Sequence, residues 1–110
     1  MGTKTDQHKE NYYQAKIIKF LRENYPGAFI WKCQQGPYSR QGIPDICMIL
    51  EGHFFGFEVK RPEGGVVSKI QEVTIRDINR AGGTALVVSY PAQVQEAIEA
   101  WQRKTRLKER

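Results

Sequence analysis

The stretch Gly42–Pro62 reads GIPDICMILEGHFFGFEVKRP. Two hydrophobic runs flank Glu51-Gly52. Charge appears only at the far ends, with Asp45 before the first run and Glu58 and Lys60 closing the second. The pattern predicts a β-hairpin, roughly Asp45–Leu50 and His53–Lys60, with its tight turn at Glu51-Gly52. Folded back antiparallel, the hairpin brings residue 45 level with residues 58 to 60. Alternation then puts Glu58 and Lys60 on one face and Val59 on the other. Two carboxylates and an ammonium thus gather at one end of a largely buried ribbon, and buried charge is costly unless paired or metal-bound. Pro44 stiffens the approach to Asp45 by fixing its own φ and biasing Ile43 to an extended conformation. Gly56, inside the second run, marks a bulge or a close backbone approach.

Upstream, Asp6 to Asn24 predicts a helix with Asp6 as N-cap and Pro26-Gly27 as its stop. Tyr13, Ile17 and Leu21 form its apolar stripe, with Ile18 and Tyr25 beside them. Glu10 and Gln14 fall on the same stripe. Glu10 admits two readings: a surface partner of the helix dipole, or a carboxylate reaching over the sheet towards Asp45 and Glu58. Ala28–Cys33 predicts a short strand. Gln34–Gly42 is a polar loop, of the kind that carries function, leading directly into Asp45.

Downstream, Arg61-Pro62-Glu63-Gly64-Gly65 stops the hairpin. Ser68–Ala81 predicts a second helix, Ser68 with Gln71 matching a capping box. Its expected buried stripe is Ile70, Thr74, Ile78 and Ala81, with Val73 beside it. Gly82-Gly83 ends it. Thr84–Ser89 is a continuous apolar run, expected to be a strand buried on both faces and parallel to His53–Lys60 through a right-handed crossover. Pro91 opens a third helix, with Val94, Ala97, Ile98 and Trp101 inward. The expected fold is α/β: a small mixed sheet flanked by helices in the order α-β-β-β-α-β, plus a C-terminal helix.

The 110 residues suit one domain, with a core from about residue 6 to residue 102 and a basic tail over 103–110. That tail holds Arg103, Lys104, Arg106, Lys108 and Arg110 against Glu109, much of the net charge of +5. It reads equally as a disordered solubiliser or a phosphate-seeking arm. No apolar run is long enough to span a bilayer, and the first residues lack the apolar region of a secretory signal. A cytoplasmic protein without a membrane partner is expected. Cys33 and Cys47 lack metal-ligand spacing and read as ordinary buried or half-buried thiols.

Acidic oxygens at a hairpin end suit Mg²⁺ or Mn²⁺, which take hard oxygen ligands and keep positions for water and phosphate. Asp45 and Glu58 are the candidate ligands, with the main-chain carbonyl of Val59 as a third oxygen and Glu10 contributing directly or through water. Such a metal stabilises charge on a phosphodiester and lowers the pKa of a bound water. Lys60 is placed to steer that water and neutralise developing charge. The bland alternative is a plain ion pair between Lys60 and Asp45 or Glu58.

Pro44-Asp45 followed by Glu58-Val59-Lys60 resembles the PD-(D/E)xK nuclease superfamily. Gly42-Ile43-Pro44-Asp45, Glu58-Val59-Lys60-Arg61-Pro62, Ser68 with Gln71, and Gly82-Gly83 before an apolar strand resemble its VRR-NUC family more narrowly. The resemblance runs from about Glu10 to Ser89. It implies a restriction-endonuclease-like core, Mg²⁺ or Mn²⁺ as cofactor and cleavage of DNA. Small standalone members, often from phages and bacteria, resolve four-way junctions as homodimers. Carried over residue by residue, Asp45 and Glu58 become metal ligands and Lys60 the catalytic lysine. Gln71 becomes an active-site glutamine, against its alternative as a capping residue, and Glu10 becomes the acid of the first helix.

Lys32, Arg40, Arg61 and Lys69 flank the motifs and are candidate phosphate contacts, though each is also readable as a solvated charge. Tyr38 could stack on an unpaired base or fill its loop. The competing functions are a non-catalytic nucleic-acid-binding module in which the acid cluster is only an ion-pair network, and a nuclease acting on flaps or duplex DNA.

Overall fold

The computed structural model describes residues 9–34 and 40–108. The element order is α1 (Glu10–Asn24), β1 (Phe29–Lys32), β2 (Ile46–Leu50), β3 (His53–Val59), α2 (Lys69–Arg80), β4 (Thr84–Val88) and α3 (Pro91–Lys108). The four strands form one sheet in the order β1-β2-β3-β4. The first three are antiparallel, and β4 is parallel to β3. This is the expected mixed α/β architecture.

The hairpin has the register its alternation requires. Leu50 pairs with His53 and Ile46 with Phe57. Glu51 and Gly52 both take positive φ, 52° and 80°, the pair of left-handed residues that a two-residue type I′ turn needs. Gly56 interrupts no pairing, since Cys47 lies opposite it. Its role is space: a Cβ there would meet Pro44 Cγ at 2.8 Å. The ring that stiffens the approach to Asp45 therefore packs close against the backbone of β3 at Gly56.

One face of the hairpin makes the core. Ile46, Met48, Phe55, Phe57 and Val59 pack with Tyr13, Ile17 and Leu21 of α1 and Val94 and Ile98 of α3. The opposite face carries Asp45, Cys47 and Glu58 by alternation, and α2 lies over its β3–β4 side. His53 is built into the core side, its Nε2 at 2.9 Å from Thr84 Oγ1 and its ring stacked 4.6 Å from Trp101.

Four expectations need correction. First, α1 begins at Glu10, and its N-cap is Lys9, which makes no side-chain cap bond. The expected cap, Asp6, lies outside the described residues.

Second, α2 buries Thr74, but Ile70 is 49% exposed and Ala81 is also on the surface. Polar side chains make several of its contacts with the sheet. Gln71 faces Glu58, and the Asn79 side chain bonds both the N–H and the C=O of Ala85. Gly42 adds to this, with φ +85° and a would-be Cβ only 2.9 Å from Ile70 O and 2.8 Å from Thr74 Oγ1.

Third, β4 is an edge strand. Ala85 and Val88 are buried, yet Val87 is 39% exposed. Ala85 and Val88 lie on opposite faces, so the strand is covered on both faces at those positions and left open at Val87.

Fourth, α3 does not end near residue 102. It runs to Lys108, so Arg103, Lys104, Arg106 and Lys108 are helical. No Gly or Pro interrupts this segment, its residues are mostly good helix formers, and cations in the last turn complement the helix dipole.

Candidate active site

The site lies where β2 begins and β3 ends. The hairpin register carries Asp45 beside residues 58 and 59, and the Val59 N–H donates to Asp45 Oδ2 at 2.8 Å. Val59 itself is fully buried on the core face, which anchors that N–H. Lys60 N–H donates to the Val88 carbonyl at 3.0 Å, and the Ser89 hydroxyl donates to the Lys60 carbonyl at 2.6 Å. These bonds fasten the backbone of Lys60 to the end of β4. Ser89 was not singled out from the sequence, and only the parallel pairing of β3 with β4 identifies it.

Glu58 is the most constrained polar group in the site, at 1% exposure. Its Oε2 accepts from Gln71 Nε2 at 2.6 Å and lies 3.3 Å from Lys60 Nζ. Its Oε1 is buried and has no hydrogen-bond partner among the described residues. Burial, then the nearby charge of Asp45, pushes the Glu58 carboxyl up to about 7, against the opposing pull of Lys60. A carboxylate in this setting demands a proton or a cation. Cys47, on the same face two residues beyond Asp45, has its thiol pushed up by burial and by Cys33 beside it.

Gln71 joins the site to α2. Its N–H donates to the Ser68 hydroxyl oxygen at 3.2 Å, and its Oε1 accepts from the Ser68 N–H at 2.9 Å. The capping box is real, and the spare amide nitrogen still reaches Glu58. Gln71 thus caps α2 and contacts Glu58 at the same time.

The structure brings together Asp45, Glu58, Val59, Lys60 and Gln71. It does not join Glu10 to them. Glu10 is half-buried in the first turn of α1, the helix that packs on the opposite, core face of the sheet. Among the described residues no three His, Cys, Asp or Glu side chains converge as a metal cluster. The donor set still fits a hard divalent ion. It offers two carboxylates, one with an orphaned buried oxygen, next to a main-chain carbonyl.

Of the candidate phosphate contacts, Lys32, Arg40 and Lys69 are exposed, whereas Arg61 is half-buried and donates from Nη2 to the Gly64 carbonyl at 3.3 Å. Arg40 lines a cavity of about 300 Å³ with Pro44 and Thr74, close behind Asp45 in the chain. Tyr38 lies outside the described residues. A larger groove of about 480 Å³, lined by Tyr12, Tyr13, Lys16 and Tyr90 among others, involves none of the acid pair.

A mixed sheet presenting an acid pair, a lysine two residues on and a helical glutamine defines a restriction-endonuclease-like nuclease domain. A solved VRR_NUC domain matches the chain with a TM-score of 0.62 and 26% identity, over 79% of this chain and 95% of that one. This agrees with the ordered motifs and supports the resemblance of the chain to the VRR-NUC family. No protein-family model and no curated protein matches it.

Proposed function

We propose that the whole chain works as one Mg²⁺- or Mn²⁺-dependent endodeoxyribonuclease domain that cuts branched DNA in the cytoplasm, resolving four-way junctions as a homodimer. The observation that carries this reading is Glu58 Oε1, a buried carboxylate oxygen without a partner among the described residues. Leaving such an atom unsatisfied costs about 1–3 kcal/mol or more. A hard cation satisfies it and also answers the raised proton affinity of Glu58.

Asp45 and Glu58 would hold the ion, with the Val59 carbonyl beside them and Glu10 acting through water. When bound, the metal supplies Lewis-acid polarisation of the phosphate and a bound water of lowered pKa. The chain's own groups do the rest. The Val59 N–H orients Asp45. Gln71 prevents Glu58 from turning its bonded oxygen away. Lys60, with only 14% of its side chain exposed, offsets charge building on the phosphate oxygens where water is scarce. Lys32, Arg40, Arg61 and Lys69 contact the backbone of the nucleic acid without reading bases, and Tyr38 stacks on an unpaired base.

One chain carries one site, and symmetric resolution needs two incisions, which a twofold dimer provides. The sheet face away from the core supports self-association. At the end remote from Asp45, Phe29 is 67% exposed and Ile49 is 42% exposed, next to half-buried Trp31 and Phe54.

The test is a labelled panel of junction, flap, duplex and single-stranded DNA with and without Mg²⁺ or Mn²⁺. Wild type should cut junctions only with metal. Lys60→Ala and Asp45→Ala should each lose at least ~100-fold in rate while still binding DNA. Retained cutting in both variants would refute the site. EDTA-insensitive binding with no cleavage of any substrate would instead favour a binding module whose Glu58–Lys60 pair is only structural.

A further inference from the structure

The two cysteines stand fourteen positions apart in sequence but touch in the fold, with Sγ atoms 3.3 Å apart. Their proximity follows from strand register. Trp31 pairs with Cys47 and Lys32 with Ile46, which sets Cys33 opposite Asp45, and the Cys33 N–H donates to the Asp45 carbonyl at 2.8 Å. Cys33 and Cys47 are therefore diagonal neighbours on adjacent antiparallel strands, with side chains on the same face. Both are free thiols. Cys47 is buried, at 2% exposure, and Cys33 is half-buried. Neither takes part in the chemistry proposed above.

We infer that Cys33 and Cys47 form a two-electron redox site, which hydroperoxides convert to an intramolecular disulfide and small thiols convert back. A disulfide spans about 2.05 Å, so the sulphurs need to move about 1 Å closer, and their side chains already point at each other. Cys33, the more accessible thiol, meets the oxidant. Its sulphur, having lost its proton, attacks one peroxide oxygen. The O–O bond breaks, Cys33 becomes a sulfenic acid, and the other oxygen leaves as water or an alcohol. Cys47 then gives up its proton and attacks the Cys33 sulphur. The S–S bond forms, the S–O bond breaks, and water leaves. In sum the two sulphurs lose two electrons and the hydroperoxide gains them. The bridge ties β1 to β2 on both sides of Asp45, through the Cys33 N–H on one side and two residues along β2 on the other. In a reducing compartment the resting form is the dithiol. This chemistry does not depend on the nuclease reading.

The experiment treats the reduced full-length chain with hydrogen peroxide, denatures it in excess N-ethylmaleimide and measures the intact mass. The expected product has lost the mass of two hydrogens, takes up no maleimide, runs as a monomer on a non-reducing gel and recovers both thiols in dithiothreitol. The melting temperature should rise by roughly 5–10 °C on oxidation, because the bridge closes a loop of about fifteen residues. Cys33→Ser should show neither change. Cys47→Ala should stop with Cys33 as a sulfenic acid that dimedone traps. Two maleimides on peroxide-treated wild type, or bridges found only between copies, would overturn the assignment. The wild-type masses decide even where a variant fails to fold.

Discussion

Gln71 Nε2 donates to Glu58 Oε2 at 2.6 Å while Gln71 Oε1 accepts from the Ser68 N–H at 2.9 Å. One amide therefore closes the first turn of α2 and fixes the orientation of the buried carboxylate. The start of a helix and the end of a strand are locked by a single side chain. This explains why α2 turns Gln71 inward and leaves Ile70 half exposed.

Substitutions at the two ends of this linkage should separate. Ser68→Ala removes a cap and should cost about 1 kcal/mol of stability, with cleavage little changed. Gln71→Ala removes the cap partner and also frees Glu58, so it should lose a similar stability and, in addition, ~10–100-fold in cleavage rate. Urea melts combined with single-turnover cleavage would check this. Equal activity in the two variants would mean that Gln71 is only a cap.

The raised carboxyl of Glu58 makes stability depend on pH in a direction opposite to that of most acids. Its ordinary value is 4.5 and burial lifts it to about 7. Between those values the folded chain keeps a proton that the unfolded chain has lost. The contribution is therefore fully present below the lower value and declines as pH rises through the upper one, by an amount on the order of 3 kcal/mol. His53 works against this, because burial lowers its pKa and charging it costs stability as pH falls. Thermal melts of metal-free wild type and Glu58→Gln, at about pH 5 and about pH 8, isolate the Glu58 share. Mn²⁺ should raise the melting temperature more at the higher pH, where it replaces an absent proton. An identical pH slope in Glu58→Gln would contradict the assignment.

Gly42 and Gly56 are closed to a side chain for different reasons. Gly42 combines φ +85° with a would-be Cβ 2.9 Å from the Ile70 carbonyl, so Gly42→Ala should cost about 2–4 kcal/mol. At Gly56 the obstacle is the Pro44 ring at 2.8 Å. Gly56→Ala should displace Pro44, and with it Asp45, weakening Mn²⁺ binding more than stability. Urea denaturation and metal titration of both variants would distinguish strain from displacement.

The exposed aromatic patch should control association. Phe29→Glu and Ile49→Glu should each convert a dimer into the 12.7 kDa monomer, measurable by light scattering at micromolar concentration. Nicking should survive in these variants while paired incision of a junction is lost. A wild type that is monomeric under the same conditions would remove the resolvase reading and leave the nicking one.

Much of this was legible in the chain itself, because the deciding signals are local. Glu51-Gly52 could accept two left-handed conformations. Alternation on either side then set the pairing of Asp45 with the Glu58–Lys60 end, since a slip of one residue would expose Phe55 and Phe57. The Ser68–Gln71 box announced the start of α2. The length of α3 was also encoded locally, as no breaker falls between Pro91 and Lys108 and its run of cations is compatible with a helix end. The proximity of Cys33 and Cys47 was implicit in the same register and needed only the pairing of β1 with β2.

What the sequence determined on its own was thus the ribbon and the acid–lysine set at its end, through periodicity and turn chemistry acting over a few residues. The tertiary structure decided the rest. It set the contacts of Gln71 with both Ser68 and Glu58, the exposure of Val87 on β4, and the placement of Glu10 on a helix that packs against the core face of the sheet. These depend on how helices lean on a sheet and in what order its strands lie. That arrangement is fixed by burial and hydrogen bonding between segments distant in sequence, which no local pattern encodes.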